Sequence, residues 1–152
     1  MIRRATASDA PAIHQVLVDA FGPLEDRYTP GAFDATVLDP DRIAQRLTEG
    51  PIWVAELDDA VVGTFGIEVT HEGHYLRGMG VSPAARGSGL GRRLVEMAVE
   101  YVDARQPPRT WLYTTAFLET AIALYEDAGF VRFDPEPAHF HATPIIGMER
   151  PA

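Results

Sequence analysis

Apolar residues recur along the chain at two different spacings, one typical of helices and the other of strands. The first helical run, with Thr6 or Ser8 as its predicted N-cap, has apolar residues at i, i+3, i+4, i+7 and i+8: Ile13, Val16, Leu17, Ala20 and Phe21. A later run repeats this spacing: Leu90, Leu94, Met97, Ala98, Tyr101 and Val102. It predicts a helix of about three to four turns that Pro107 and Pro108 end.

Two shorter helices are predicted from weaker signals. One extends from Asp41 to about Thr48, and the other carries Leu124 and Tyr125 on its apolar stripe and is closed by Gly129. Residues 22–40 contain three prolines, two glycines and four carboxylates without a clear period. This composition predicts a long loop or a broken helix.

The strand signals begin after this irregular segment. IWVAEL and AVVGTFGIEVT, joined by the turn Asp58-Asp59, predict an antiparallel hairpin. A turn at THEGH leads into YLRGMGV, and RTWLYTT, FVRF and PIIGME predict further short strands. The mixture of strands and helices predicts an α+β, or mixed α/β, fold.

Length and composition favour one domain over residues 1–152. The chain of 152 residues is long enough for one hydrophobic core and short for two. No segment approaches the roughly 18 uninterrupted apolar residues of a membrane span. The first residues, MIRRATASDAP, have no apolar run behind their arginines and do not resemble a secretory signal. We therefore expect a soluble, cytoplasmic protein that does not bind membranes.

Charge and cysteine content exclude several classes of function. The formal net charge is −9, and such an acidic surface repels a nucleic-acid backbone. The absence of cysteine excludes disulfides, thiolate metal sites and a cysteine nucleophile. We expect no nucleic-acid partner.

The segment VSPAARGSGLGRRLVEMAVEYV, residues 81–102, places three glycines at alternate positions just before the longer predicted helix. It is neither a dinucleotide fingerprint, because the sixth position from Gly87 is Arg92, nor a P-loop, because Gly-Lys-Ser/Thr is missing. A glycine turn at a helix N-terminus nevertheless presents free amides and a positive dipole end to an anion. A β-carbon at any of the three glycines would hinder a pyrophosphate from reaching these amides.

This loop resembles the Arg/Gln-x-x-Gly-x-Gly/Ala loop of the GNAT superfamily of acyl-CoA-dependent N-acyltransferases. The resemblance extends to MIRRATASDAPAIHQVLVDAF, YLRGMGV and AIALYEDAGFVRF, in the family's order. It implies a splayed mixed sheet flanked by helices, and acetyl-CoA as cosubstrate. The implied cofactor-binding residues are Met79, Gly80 and Val81 along the pantetheine arm, and Arg86, Gly87, Ser88, Gly89, Leu90, Gly91 and Arg92 around the pyrophosphate.

The resemblance also implies catalytic residues. Tyr125 resembles the tyrosine that many members use as general acid, although its place on an apolar stripe also fits a core residue. Many members have a glutamate that acts as base through water near the start of the loop-bearing strand, where this chain has His74 and Tyr75. Glu68, which alternates with Phe65, Ile67 and Val69, is the other candidate. Either Glu68 or His74 is predicted to be the base.

Four histidines raise the question of a metal site: His71, His74, His139 and His141. His139 and His141 would share one face of a strand, but the spacing is not that of a helical zinc motif. We predict no bound metal.

The expected function is N-acetyl transfer from acetyl-CoA to a primary amine, of a small molecule or a peptide, by direct transfer in a ternary complex. The alternative is a noncatalytic acyl-CoA-binding sensor or interaction module, which the missing glutamate would favour. The family resemblance also implies a homodimer. The irregular segment and its neighbours interleave acidic residues with Phe21, Tyr28 and Phe33, which hints at a cationic or aromatic acceptor. The acidic residues are Glu25, Asp26, Asp34, Asp39 and Asp41.

Overall fold

The computed structural model describes residues 1–151. Its helices are α1 (Ala10–Phe21), α2 (Pro30–Thr36), α3 (Pro40–Arg46), α4 (Leu90–Arg105) and α5 (Glu119–Asp127). Its strands are β1 (Ile2–Arg4), β2 (Ile52–Leu57), β3 (Ala60–Thr70), β4 (Gly73–Val81), β5 (Thr110–Thr114), β6 (Val131–Phe133), β7 (His139–Phe140), β8 (Thr143–Pro144) and β9 (Ile146–Glu149). Seven strands form one sheet in the order β1-β2-β3-β4-β5-β9-β6, and β7 pairs with β8. The predicted mixed α/β fold is confirmed.

The irregular segment after α1 is a broken helix. A 3₁₀ helix covers Gly22–Arg27, and α2 follows after Thr29, whose side chain accepts a hydrogen bond from the Ala32 amide. Thr6, one of the two predicted N-caps, caps a 3₁₀ turn at Ala7–Asp9, whereas the N-cap of α1 itself is Asp9.

The sheet splays between its two central strands. β4 and β5 are parallel and pair only at His74–Thr110, Tyr75–Trp111 and Leu76–Leu112, whereas the other neighbouring strands are antiparallel. Beyond Leu76 the two strands separate, although β4 continues to Val81 and β5 to Thr114. The separation opens the sheet at its centre and leaves one edge of β4 unpaired.

A β-bulge lies in the separated part of β4. Thr64 of β3 pairs with Gly80 and Gly66 pairs with Arg77, so Gly78 and Met79 together oppose one residue. Gly78 has φ +73°, which glycine adopts without strain. The bulge reverses the order of faces, and Met79 therefore packs on the same side as Leu76.

Helices cover both faces of the sheet. α4 and α5 pack on one face over a core that includes Phe65, Leu94 and Met148. α1 and α3 pack on the other face, where their residues Ile13 and Ile43 form a second core with Ile52 and Val54 of β2. None of the helices within residues 1–151 has the length and apolar character needed to cross a membrane.

Asp9 joins the start of α1 to strand β1. Its carboxylate accepts hydrogen bonds from Arg3 at 2.8 and 2.9 Å and from the Thr6 amide at 2.7 Å. The hydrogen bonds from Arg3 lower the pKa of Asp9 to about 2. The contribution of Asp9 to the free energy of unfolding therefore requires its ionised carboxylate. This contribution is complete above the ordinary pKa of 3.8 and is lost as pH falls towards 2.

We expect Asp9→Ala to lower the free energy of unfolding at pH 7 by about 1 to 2 kcal/mol, because it removes the ion pair with Arg3 and the hydrogen bond from the Thr6 amide. The difference from the wild type should shrink in urea titrations as pH falls from 4 to 2. Asp19→Ala is the control, since Asp19 of α1 is exposed and accepts a hydrogen bond from Gln15. Equal stability of the two variants at pH 7 would contradict this role for Asp9.

Candidate active site

The glycine-rich turn connects β4 to α4. A 3₁₀ turn at Pro83–Ala85 follows β4, and Gly89 is the N-cap of α4. Gly87 and Gly89 both have φ +81°, and a β-carbon on either would meet no protein atom within 4 Å. The backbone at these two positions therefore faces open space, as a binding loop requires.

Gly91 has a different role from the other two glycines. A β-carbon there would lie 3.2 Å from Leu124 Cδ1 and 3.7 Å from Val81 Cγ2. Gly91 thus allows α4 to pack closely against α5 and β4. Gly91 also lines the cavity, so its predicted part in admitting a phosphate stays a prediction beside this packing role.

A cavity of about 630 Å³ lies beside the turn. Its volume is within the roughly 300 to 1,000 Å³ range of small-molecule sites. One wall is formed by residues of β4, the turn and α4: Met79, Gly80, Val81, Ala85, Arg86, Gly87, Gly89, Leu90, Gly91 and Arg92. The opposite wall comes from residues 117–121 and from Leu124 and Tyr125. Every predicted cofactor-binding residue except Ser88 lines this first cavity.

Polar groups converge on the turn end of the first cavity. The first amides of α4 have no partner in their own helix, and Arg86 and Arg92 line the same cavity. Arg86 also donates a hydrogen bond to the Ala20 carbonyl at 3.4 Å, and Arg92 pairs with Asp127 at 2.8 Å. Ser88 donates its hydroxyl hydrogen to the Ala85 carbonyl and thereby holds the turn. The arrangement is suited to an anion such as a pyrophosphate.

A second, smaller cavity of about 170 Å³ lies in the gap between β4 and β5. Its walls include the aromatic residues Tyr28, Tyr75, Tyr113 and Phe140, and the guanidiniums of Arg46 and Arg77. The two cavities share four lining residues: Phe21, Met79, Leu118 and Tyr125. They therefore meet at the splay of the sheet.

Tyr125 lies at the junction of the two cavities. Its ring packs against Phe65 and Phe130, with centroids 6.2 and 6.0 Å apart, and its hydroxyl is 3.8 Å from Met79 Sδ. Burial raises the pKa of Tyr125 above its ordinary value, so the phenol is protonated at neutral pH and able to donate. The ring belongs to the core, and the hydroxyl lies beside Met79, which lines both cavities.

Residues 11–130 match the sequence profile of the Acetyltransferase (GNAT) family. The chain belongs to this family. It is 37% identical over 145 residues to the uncharacterized N-acetyltransferase YjgM of Escherichia coli K12, covering 88% of this chain and 83% of that protein. The GNAT enzymes are acyl-CoA-dependent transferases, and this chain is one of them.

Solved structures support the same fold. The PaiA N-acetyltransferase of Thermoplasma acidophilum, in complex with coenzyme A, has a TM-score of 0.78 and 12% identity, covering 98% of both chains. YncA of Salmonella typhimurium, a putative acetyltransferase with acetyl-CoA, has a TM-score of 0.72 and 18% identity, covering 98% of this chain and 90% of that chain.

Glu68 and His74 of this acetyltransferase lie away from the junction of the two cavities. Met79 follows His74 by five residues on β4, about 16 Å along the strand, and Glu68 pairs with Tyr75, four residues before Met79. Neither side chain lines either cavity. Neither residue is therefore placed to touch an amine at the junction, and the role of Glu68 or His74 as base stays a prediction.

The surroundings of the two candidate bases differ. Glu68 pairs with Arg77 at 3.2 Å. His74 is buried on the α4 side, its ring 5.5 Å from that of Tyr101, and its Nδ1 has no hydrogen-bond partner within residues 1–151. Burial and the nearby Arg105 charge lower the pKa of His74, so the ring is neutral at pH 7.

The histidine pattern is not realised as expected. His139 lies in the two-residue strand β7, but His141 lies in the following turn with φ +48°. The two do not share one face of a strand. Within the part of the chain that the structure describes, no group of three or more His, Cys, Asp or Glu residues could hold a metal ion.

Several residues that line the second cavity had no predicted function, among them Arg46 and Phe140, whereas Tyr28 belonged to the segment that hinted at an acceptor. Arg46 ends α3, Tyr28 lies between the 3₁₀ helix and α2, and Phe140 lies in β7. These segments meet only in the folded chain, and no local motif marks them. The acidic residues of the irregular segment do not line this cavity, so their hint of a cationic acceptor receives no support from its walls.

Proposed function

We propose that the protein transfers an acetyl group from acetyl-CoA to a primary amine by direct transfer in a ternary complex. The observation that carries the proposal is the meeting of two cavities at Tyr125. One cavity ends at the glycine-rich turn, which is suited to an anion, and the other opens between β4 and β5. Two substrates bound in them would have their reacting groups side by side, which favours direct transfer.

Residues of the first cavity are suited to coenzyme A. The amides of Gly87, Gly89 and the first turn of α4, with Arg86 and Arg92, would bind the pyrophosphate. The unpaired edge of β4 at Met79, Gly80 and Val81 would offer backbone groups to the amides of the pantetheine arm. The apolar side chains of Leu90 and Leu124 complete the walls.

Tyr125 is proposed as the general acid. As the amine nitrogen forms its bond to the acetyl carbon, the carbon–sulfur bond breaks, and Tyr125 donates its hydroxyl proton to the departing sulfur. A thiol like that of cysteine has a pKa of about 8.5, so its thiolate leaves with modest help. The raised pKa of Tyr125 keeps the proton available for this step.

The amine must lose a proton before it attacks. An alkylamine like lysine has a pKa of about 10.4, so only about one molecule in a thousand is unprotonated near pH 7.4. No Asp, Glu or His lines the second cavity within residues 1–151. We propose that the proton first passes to water in this cavity, and that Glu68 or His74 receives it only through a water relay.

The test is incubation of the purified protein with acetyl-CoA and a panel of primary amines, with detection of free thiol and of acetylated amine by mass spectrometry. We expect an equal release of CoA and formation of acetylated product for at least one amine class. If acetyl-CoA binds but no amine in a broad panel, including peptides, is acetylated, the noncatalytic acyl-CoA-binding module becomes the better account.

A further inference from the structure

Arg46 presents an unpaired positive charge to the second cavity. It is the last residue of α3, and its Nη1 lies 3.4 Å from the position that a β-carbon would occupy on Gly78, at the bulge of β4. Across residues 1–151, its guanidinium forms no ion pair and donates no hydrogen bond. Burial, together with the neighbouring Arg77, lowers the pKa of Arg46 to about 10, so the side chain is charged at neutral pH.

Arg77, the other cation of the cavity, is already compensated. Its guanidinium pairs with Glu68 at 3.2 Å and with Glu49. Neither of these carboxylates lines the cavity, whereas both guanidiniums do. Glu49 and Glu68 also act on Arg46 through space, but neither accepts a hydrogen bond from its guanidinium, so its N–H donors are free to bind an acceptor in the cavity. A bound anion would accept the hydrogen bonds that no protein group accepts from Arg46.

The other walls limit the size and character of the bound molecule. The volume of about 170 Å³ is below that of a drug-sized site, which indicates a small molecule. Tyr75 stacks on Trp111 at 5.6 Å and contacts Tyr113 at 5.7 Å, giving the cavity a rigid aromatic side. Because Arg46 and Arg77 line the cavity and no Asp or Glu of residues 1–151 does, a polyamine would be repelled.

We propose that the acceptor is a small amino carboxylate whose carboxylate binds Arg46. A planar guanidinium matches a carboxylate with two parallel hydrogen bonds, and Arg46 has no such partner within the described residues of the protein. Arg46 then acts as a specificity residue that holds the acceptor while its amine faces the junction at Tyr125. This inference rests on the proposed function, because it assigns the acceptor side of the same site.

The test measures binding of the common amino acids and of their carboxamides to the CoA-saturated protein by calorimetry. In the wild type, at least one amino acid should bind about tenfold or more tightly than its carboxamide. Arg46→Gln should remove this preference without changing the affinity for CoA, and Arg46→Lys should restore part of it. Arg42→Gln is the matched control: Arg42 lies on the same helix, pairs with Asp34 and Asp39, and does not line the cavity.

Two results would overturn the inference: no amino acid favoured over its carboxamide in the wild type, or a preference that survives Arg46→Gln. Parallel assays of acetyl transfer separate this inference from the proposed function. Equal transfer to acids and carboxamides would refute the role of Arg46 and support the transferase. Arg46-dependent binding of amino acids without transfer would support the role of Arg46 and refute the transferase.

Discussion

Replacing Gly89 with valine is expected to abolish the thermal stabilisation that acetyl-CoA gives the protein. Ligand at a hundredfold excess over Kd should stabilise the wild type by about 2.7 kcal/mol, which is several degrees in Tm for a domain of this size. Gly89 has φ +81°, and its missing side chain leaves the first cavity open where the pyrophosphate is proposed to bind. A valine would fill this space and hold the ligand away from the amides.

The matched control for Gly89→Val is Gly129→Val. Gly129 also has a left-handed backbone, with φ +95°, but lines neither cavity, and a β-carbon there would make only ordinary contact with Arg150 at 3.7 Å. Both variants should lower the Tm of the free protein, since valine is strained at positive φ. Only Gly89→Val should lose the rise in Tm that acetyl-CoA causes. An unchanged shift in that variant would rule out the turn as the binding site.

Tyr125→Phe is expected to lower kcat by roughly 10² to 10⁴, the usual range for loss of a general acid. Phenylalanine keeps the ring contacts with Phe65 and Phe130, so the fold should be retained. The hydroxyl contacts Met79 Sδ at 3.8 Å, which is a weak partner, and its removal should leave stability nearly unchanged. The measurement is kcat at saturating acetyl-CoA, alongside Tm and the acetyl-CoA shift.

Tyr101→Phe is the control for this loss. Tyr101 lies on α4, packs against Trp53 and His74, and lines neither cavity. Its kcat should remain close to that of the wild type. A similar kcat for Tyr125→Phe would show that the Tyr125 hydroxyl does not protonate the leaving sulfur.

The same assay followed across pH tests the two predicted bases. If Glu68 or His74 receives the proton through water, Glu68→Gln or His74→Ala should lower kcat/KM at neutral pH. That loss should shrink as pH rises towards the amine pKa of about 10.4, because the amine then deprotonates unaided. Profiles that superimpose on the wild type at every pH would mean that neither residue is the base.

Local patterns were sufficient for most of the secondary structure. α4 follows from the spacing of Leu90, Leu94 and Ala98, and the hairpin of β2 and β3 follows from two alternating segments around Asp58-Asp59. The secondary structure of the irregular segment could not be predicted uniquely, because its prolines fit both a loop and a broken helix. The positions of the histidines were also missed, since β7 ends before His141.

The acceptor side of the site could not be predicted in this way. Gly78 and Met79 form a bulge only when paired with β3, and this bulge turns Met79 towards Tyr125. The gap that holds the second cavity exists because β4 and β5 stop pairing after Leu76 and Leu112. Such features depend on residues far apart in the chain, and the spacing of residues within one segment does not predict them.

The sequence by itself determined the glycine turn at the start of α4, the family and the place of Tyr125 on its helix, because each depends on neighbouring residues or on a short motif. Only the tertiary structure decided which groups share the junction. It brought Tyr125 to the point where two cavities meet, left Glu68 and His74 on other parts of the sheet, and placed the unpaired Arg46 opposite the bulge. The reason is physical: burial and charge compensation are set by contacts between distant segments, here α3, β4 and α5.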